Sequence, residues 1–157
     1  MAYYTKIPSP IGEIVLYSAD GRSLAGLWLD TQTPRMDAPE RCDTLTVFSL
    51  ASDWLTRYFA GEKPCADEIP LDFHGTAFQR KVWTELLMIP YGTTVTYGEI
   101  ASHIGCRSAQ AVGQAVGRNP VSVIAPCHRV VGAGGKLTGY TGGLDKKRAL
   151  LAIEGIL

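Results

Sequence analysis

Strands gathered in the first third of the chain and helices filling its second half predict an α+β protein of two modules, residues 1–73 and 74–157. Three observations carry the prediction. Two apolar runs flank an Asp20-Gly21 turn signal and read as a β-hairpin. Two short capped segments flank Gly105 and read as a helix-turn-helix. The charge is also segregated: residues 1–73 hold 6 Lys+Arg and 11 Asp+Glu (net −5), while residues 74–157 hold 9 and 4 (net +5), although the whole chain is neutral. Such asymmetry suggests that the basic module meets a polyanion.

In the first module, Ile14-Val15-Leu16-Tyr17 lies between Pro10-Ile11-Gly12 and the Asp20-Gly21 turn, and Leu24 to Leu29 forms the return strand. Residues 31–43, rich in Pro, Asp, Thr and Arg, read as a surface loop. Leu45, Phe48, Leu55 and Phe59 keep helical spacing as far as the stop at Gly61. Residues 61–72, with Pro64 and Pro70, read as a link. In the second module Thr76 caps a helix predicted to run to Ile89, with Phe78, Val82 and Leu86 on one face. Thr96 and Glu99 form a capping box for Tyr97 to Ile104. Ser108 caps Ala109 to about Gly117, a helix of small residues. Glycine inside a helix costs up to about 1 kcal/mol relative to alanine, so Gly113 suggests a surface made for close approach, as in a narrow groove. Packing of the same small residues into the protein's own core is the other reading. Leu144 to Ile153 is a final amphipathic helix, with Lys146, Lys147 and Arg148 on its polar side. Glu154 sits at its end, unfavourably for the helix dipole, and is expected to have a specific partner.

No apolar run approaches the roughly 18 residues of a membrane span, and the first residues lack the blocks of a signal peptide. A reducing cytoplasm is the expected location. Cys42, Cys65, Cys106 and Cys127 are widely spread, with no C-x-x-C pair, so neither a disulfide framework nor a zinc ribbon is indicated.

The chemistry concentrates at Pro126-Cys127-His128-Arg129. The run Val121 to Ala125, read as an extended segment, delivers this tetrapeptide to a glycine-rich loop, Gly132 to Gly135. A thiolate is the reactive form of cysteine, and neighbouring cations favour it. Three uses of Cys127 stand open. Zinc ligation is disfavoured, because adjacent residues of an extended chain point to opposite sides. Acyl transfer needs a base in direct reach of sulfur, which adjacency to His128 opposes unless the backbone turns. Alkyl transfer suits a soft thiolate, with a water-relayed His128 polarised by Glu154 and a tyrosine as acid for the leaving group.

Phe78 to Gly155 resembles the O6-alkylguanine-DNA alkyltransferases almost without a gap. The resemblance rests on Pro90-Tyr91-Gly92, Thr96-Tyr97, Ala111-Val112-Gly113, Arg118-Asn119-Pro120, Pro126-Cys127-His128-Arg129-Val130-Val131-Gly132 and Gly139-Tyr140-Thr141-Gly142-Gly143-Leu144. Ser9-Pro10-Ile11-Gly12 and the hairpin look like the family's ribonuclease-H-like N-terminal domain. The implied fold is a small ribonuclease-H-like α/β domain followed by a mainly helical, winged-helix or helix-turn-helix-like domain. The implied function is direct reversal of damage in double-stranded DNA containing O6-alkylguanine, with O4-methylthymine as a second lesion to consider. A base flipped from the duplex would give its alkyl group to Cys127 once, by a monomer that needs no cofactor and no metal.

The resemblance assigns parts residue by residue. His128 would take the Cys127 proton through a water, and Glu154 would orient the imidazole. Tyr97 would donate to the departing purine, and Asn119 would brace the turn. The Cys127 and Val130 carbonyls would read the guanine amine. Tyr140 would wall the pocket, the Thr141 amide would reach the guanine oxygen, and Lys147 would lie near the site. Ala111 and Gly113 would enter the groove. The family's usual arginine before Ala-Val-Gly is Gln110 here, which lacks the charge and stacking plane of arginine; Arg107 and Arg118 are the nearby candidates to substitute. Two alternatives remain: a non-catalytic lesion sensor that flips and holds the base, and a cysteine hydrolase unrelated to DNA.

Overall fold

The Asp20 carboxylate makes the turn of the predicted hairpin. It accepts hydrogen bonds from the Arg22 and Ser23 amides, each at 2.8 Å, and so folds the chain back after the first apolar run. The computed structural model describes every residue from Met1 to Leu157, in two units, Met1–Phe73 and His74–Leu157.

In the first unit the hairpin strands are β2 (Ile14–Ser18) and β3 (Gly26–Leu29), paired antiparallel with Leu16 opposite Leu27. Ile14, Leu16, Leu27 and Leu29 alternate onto one fully buried face. Tyr17, Ala25 and Trp28 form a smaller cluster on the other. Gly26 has no side chain because the Trp28 ring lies over it; a Cβ there would come within 2.1 Å of the indole. Leu24 starts the predicted return strand but leaves the hairpin and bridges to Leu71 instead.

Tyr3–Ile7, to which the sequence reading assigns no element, forms β1 and, with Glu40–Arg41 (β4), completes the order β3-β2-β1-β4. Its β-forming residues were legible, but only Thr5 is buried, so the apolar alternation that marks a strand is missing. Within the predicted loop, Glu40–Arg41 pairs in parallel with β1 as β4. Helix α1 (Thr46–Phe59) buries Val47, Phe48, Ala51, Trp54, Leu55 and Tyr58. It stops where Gly61 turns left-handed at φ +87°. The Trp54 indole then donates to the Cys65 carbonyl at 2.9 Å, which fastens the following link to the helix.

In the second unit a Thr76/Gln79 capping box starts α2 (Ala77–Leu86), which ends before Ile89 because residues 87–89 tighten into a turn ahead of Pro90. Val82, Trp83 and Leu86 are buried; Phe78, expected with them, is 37% exposed at the helix start. The Thr96/Glu99 capping box starts α3 (Tyr97–His103), and the Ser108 hydroxyl caps α4 (Ala109–Gly117). These two helices pack on each other, and α2 packs on α4. Val95–Thr96 (β5) pairs in parallel with Val130–Val131 (β6). Helix α5 (Leu144–Ile153) ends the fold. No helix is long and apolar enough to cross a membrane.

Candidate active site

The cysteine is delivered by a buried turn, which corrects the expectation of an extended segment over Val121–Ala125. Ile124 N donates to Ser122 O at 2.9 Å, Ala125 N to Val121 O at 3.0 Å and Cys127 N to Ala125 O at 2.8 Å. The β-branched run reads as a strand by composition, yet every residue of it is buried and Ser122–Ile124 form a turn. Asn119 supplies hydrogen-bond partners. Its Oδ1 accepts from Val121 N at 3.0 Å, and its Nδ2 donates to Ala125 O at 2.8 Å. Val123 is held at φ +71°, a region that costs a β-branched residue about 1–3 kcal/mol. The brace is what keeps it there.

Cys127–Arg129 is one turn of 3₁₀ helix. Such a turn advances about 120° per residue, so Cys127, His128 and Arg129 point to three different sides. The extended-chain argument about adjacent residues therefore does not apply. Cys127 is 4% exposed. Burial pushes it above the usual thiol value, while the Asn119 and Tyr140 side chains and the Lys147 charge work the other way.

His128 is fully buried and sets Nε2 at 2.6 Å from Glu154 Oε2. Burial alone would raise the Glu154 carboxyl, but hydrogen bonds from His128 and Arg129 prevail and hold it at about 2. A carboxylate accepts only, so His128 Nε2 carries the hydrogen and Nδ1 is the acceptor of the neutral ring. Glu154 also accepts from the Gly92 amide at 3.0 Å. Its expected specific partner is thus a cluster.

Arg129, expected only as a cation near sulfur, instead turns to Glu154. Its Nε donates to Oε1 at 2.7 Å and its Nη2 to Oε2 at 3.1 Å, while Nη1 donates to the Ile89 carbonyl at 2.7 Å. The guanidinium lies over the Tyr91 ring, 5.6 Å from its centroid. The sequence reading gave Arg129 no site role; its place in the Cys-His-Arg turn was the available signal.

Lys147, expected on the polar side of α5, is fully buried, a second correction. Its Nζ donates to the Val130 carbonyl at 2.6 Å and the Thr138 carbonyl at 3.0 Å, and lies 6.0 Å from the Tyr140 ring centroid. The long stem reaches inward because two backbone carbonyls satisfy the ammonium. Burial lowers its pKa, against the pull of Cys127. Tyr97 opens α3 half-buried, with its hydroxyl donating to the Gly139 carbonyl at 3.4 Å; burial raises its pKa. The turn, α5 and the residues 138–140 thus bring Cys127, His128, Asn119, Val130, Tyr140, Lys147 and Glu154 together, and Tyr97 reaches the same loop. Thr141 is exposed beside it.

The remaining predicted residues lie at and around α4. Arg107, Gln110 and Arg118 are exposed, Ala111 and Gly113 half-buried, and Val112, Ala115 and Val116 face inward. A Cβ at Gly113 would sit 3.7 Å from the Tyr97 ring, an ordinary contact, so internal packing does not demand glycine there.

A buried thiol beside a carboxylate–imidazole pair, in a helix-turn-helix unit, defines a protein that reacts through cysteine. The model of the 6-O-methylguanine DNA methyltransferase ribonuclease-like domain matches residues 2–73, and that of the same family's DNA-binding domain matches residues 77–156. The chain belongs to the 6-O-methylguanine DNA methyltransferase family. It is 49% identical over 155 residues to a methylated-DNA–protein-cysteine methyltransferase of Mycobacterium tuberculosis, covering 98% of this chain and 93% of that one. A namesake from Methanosarcina acetivorans is 46% identical, with 98% of each chain covered. The crystal structure of the Mycobacterium tuberculosis protein OGT in complex with DNA superposes with a TM-score of 0.85 at 48% identity, over 97% of this chain and 92% of that one.

Proposed function

We propose that this protein repairs alkylated DNA by moving the O6-alkyl group of a flipped guanine onto Cys127, once per molecule. The sulfur attacks the alkyl carbon as the carbon–oxygen bond breaks, leaving a thioether on Cys127. The thiol proton passes to Nδ1 of His128, through a water, and guanine regains a proton with help from Tyr97. The observation that carries this reading is the Glu154–His128 pair behind a buried Cys127. A carboxylate that fixes the imidazole tautomer makes a base, and the 3₁₀ turn points that base away from solvent.

The other assigned residues support the same reading. Lys147 leaves one lone pair on the Val130 carbonyl for a base amine. Tyr140 would wall the pocket, and the Thr141 amide would reach the guanine oxygen. Ala111 and Gly113 present a smooth face to a groove, with Gln110, Arg107 and Arg118 around it for the opened duplex. We infer a monomer acting in the cytoplasm on double-stranded DNA. Incubation with duplex carrying O6-methylguanine, followed by peptide mass spectrometry, tests the proposal. A methyl group on Cys127, absent in Cys127→Ser, is expected. An unmodified Cys127 with tight, undiminished lesion binding would mark a lesion sensor instead.

A further inference from the structure

Two of the hydrogen bonds that Glu154 accepts come from Arg129, the residue of the Cys-His-Arg turn that the reaction has not used. The arrangement is a bidentate fork, the strongest geometry available to this pair. It is almost wholly buried, with the Arg129 side chain 9% and the Glu154 side chain 0% exposed. The third guanidinium nitrogen holds the Ile89 carbonyl, and the Tyr91 hydroxyl donates to the Ile153 carbonyl at 3.1 Å. Arg129 therefore ties residues 89–91 to the end of α5 across the carboxylate that orients the base.

We propose that Arg129 is a positioning residue for alkyl transfer: forked on Glu154, it fixes the carboxylate against His128 and keeps His128 an uncharged acceptor for the Cys127 proton. The inference rests on the transfer reading above. An unpaired buried carboxylate is costly. Without Arg129, Glu154 would lose its guanidinium partner, and a proton drawn onto the His128 ring would restore an ion pair. An imidazolium cannot accept the thiol proton. With Arg129 in place the negative charge is already matched by a group that never releases its proton. The charged and titratable groups facing His128 are Glu154 and Lys147 from α5, Arg129 and Cys127 from its own turn, and, beyond Glu154, the Tyr91 hydroxyl. Burial acts most strongly on His128 and favours its neutral form; Glu154 opposes this, and the Arg129 and Lys147 cations reinforce it.

The test pairs two measurements on the full chain. NMR titration of His128 in the DNA-free protein reads its protonation directly. Single-turnover transfer from O6-methylguanine duplex, followed against pH, reads the base in action. In Arg129→Met the His128 midpoint is expected to rise by about 1–3 pH units. Transfer should fall about tenfold for each pH unit below the new midpoint and recover above it. Arg129→Lys, which keeps the charge, should stay closer to wild type. A His128 midpoint that does not move in folded Arg129→Met overturns the proposal, as does a rate lowered by the same factor at every pH. Should Arg129→Met fail to fold, Arg129→Gln, which keeps hydrogen-bond donors without the charge and leaves Glu154 in place, is measured instead. An unmoved His128 midpoint in that folded variant also overturns the proposal. Absence of any Cys127 adduct in wild type would sink the transfer reading while leaving the titration interpretable.

Discussion

Removing the Asn119 side chain isolates the brace of the cysteine turn. Asn119→Ala deletes the acceptor of the Val121 amide and the donor to the Ala125 carbonyl, both in fully buried residues. Each orphaned buried group costs about 1–3 kcal/mol, so a loss of about 2–4 kcal/mol is expected after relaxation. Release of the strained Val123 backbone would favour collapse of the turn rather than offset the loss. For a domain the size of the His74–Leu157 unit, each 1 kcal/mol moves Tm by about 4–8 °C. Thermal unfolding followed by circular dichroism should therefore shift down by at least about 8 °C. Asn119→Asp separates stability from chemistry. It keeps an acceptor for Val121 N, loses the donor to Ala125 O, and sets a carboxylate where the Asn119 side chain now lowers the thiol pKa. Its Tm should fall less than that of Asn119→Ala, while its methyl-transfer rate at neutral pH falls more per degree lost. A Tm within about 3 °C of wild type for Asn119→Ala, or an Asn119→Asp that transfers at the wild-type rate, refutes the reasoning.

Gly113→Ala should raise Tm by a few degrees, since it recovers up to about 1 kcal/mol of helix propensity without an internal clash, and should weaken duplex binding in a gel-shift titration. Gln110→Arg should speed base opening, read with a fluorescent base analogue, and raise the transfer rate at low DNA concentration. Glu154, held at about 2 against an ordinary 4.5, contributes about 3 kcal/mol that is complete above pH 4.5 and lost as pH falls toward 2. Glu154→Gln should therefore flatten acid unfolding in that window, though it lowers stability at neutral pH by stranding Arg129. Iodoacetamide should label exposed Cys65 well before buried Cys127 in the DNA-free protein, as peptide mapping would show.

Local signals were legible where one residue decides the outcome. Thr76, Thr96 and Ser108 cap the three helices assigned to them, because a cap needs only its own hydroxyl and an amide three residues on. Gly61 and Gly105 end helices for an equally local reason, a left-handed φ. The reading fell short where distant partners decide. Val121–Ala125 carries strand-forming residues, but Asn119 holds the Val121 amide and the Ala125 carbonyl in a turn. Lys147 reads as polar by type and by helical position, yet two carbonyls from other segments draw it inward. Phe78 has core spacing but stands one residue into α2, where the helix has not yet met its neighbours. Arg129 was hidden by a geometric assumption: in an extended chain it would share a side with Cys127, and only the 3₁₀ turn sends it to Glu154.

That turn also bears on why a protein that reacts once buries its nucleophile. Burial raises the Cys127 thiol and lowers the His128 imidazole, so both neighbours are held neutral at rest. A thiolate–imidazolium pair standing ready would be consumed by any small electrophile or oxidant, and no second turnover could replace it. Lys147 and the Asn119 and Tyr140 side chains nevertheless favour the anion. The site therefore holds a thiol whose ionisation is opposed chiefly by desolvation and already has its charge partners in place. On the proposed reading, an alkylated base entering the site would supply an electrophilic carbon at the moment the proton leaves, so free thiolate need never accumulate. On this account the fold selects its substrate by coupling deprotonation to the presence of the base, and the groups that suppress resting ionisation serve specificity as much as the groups that touch the lesion.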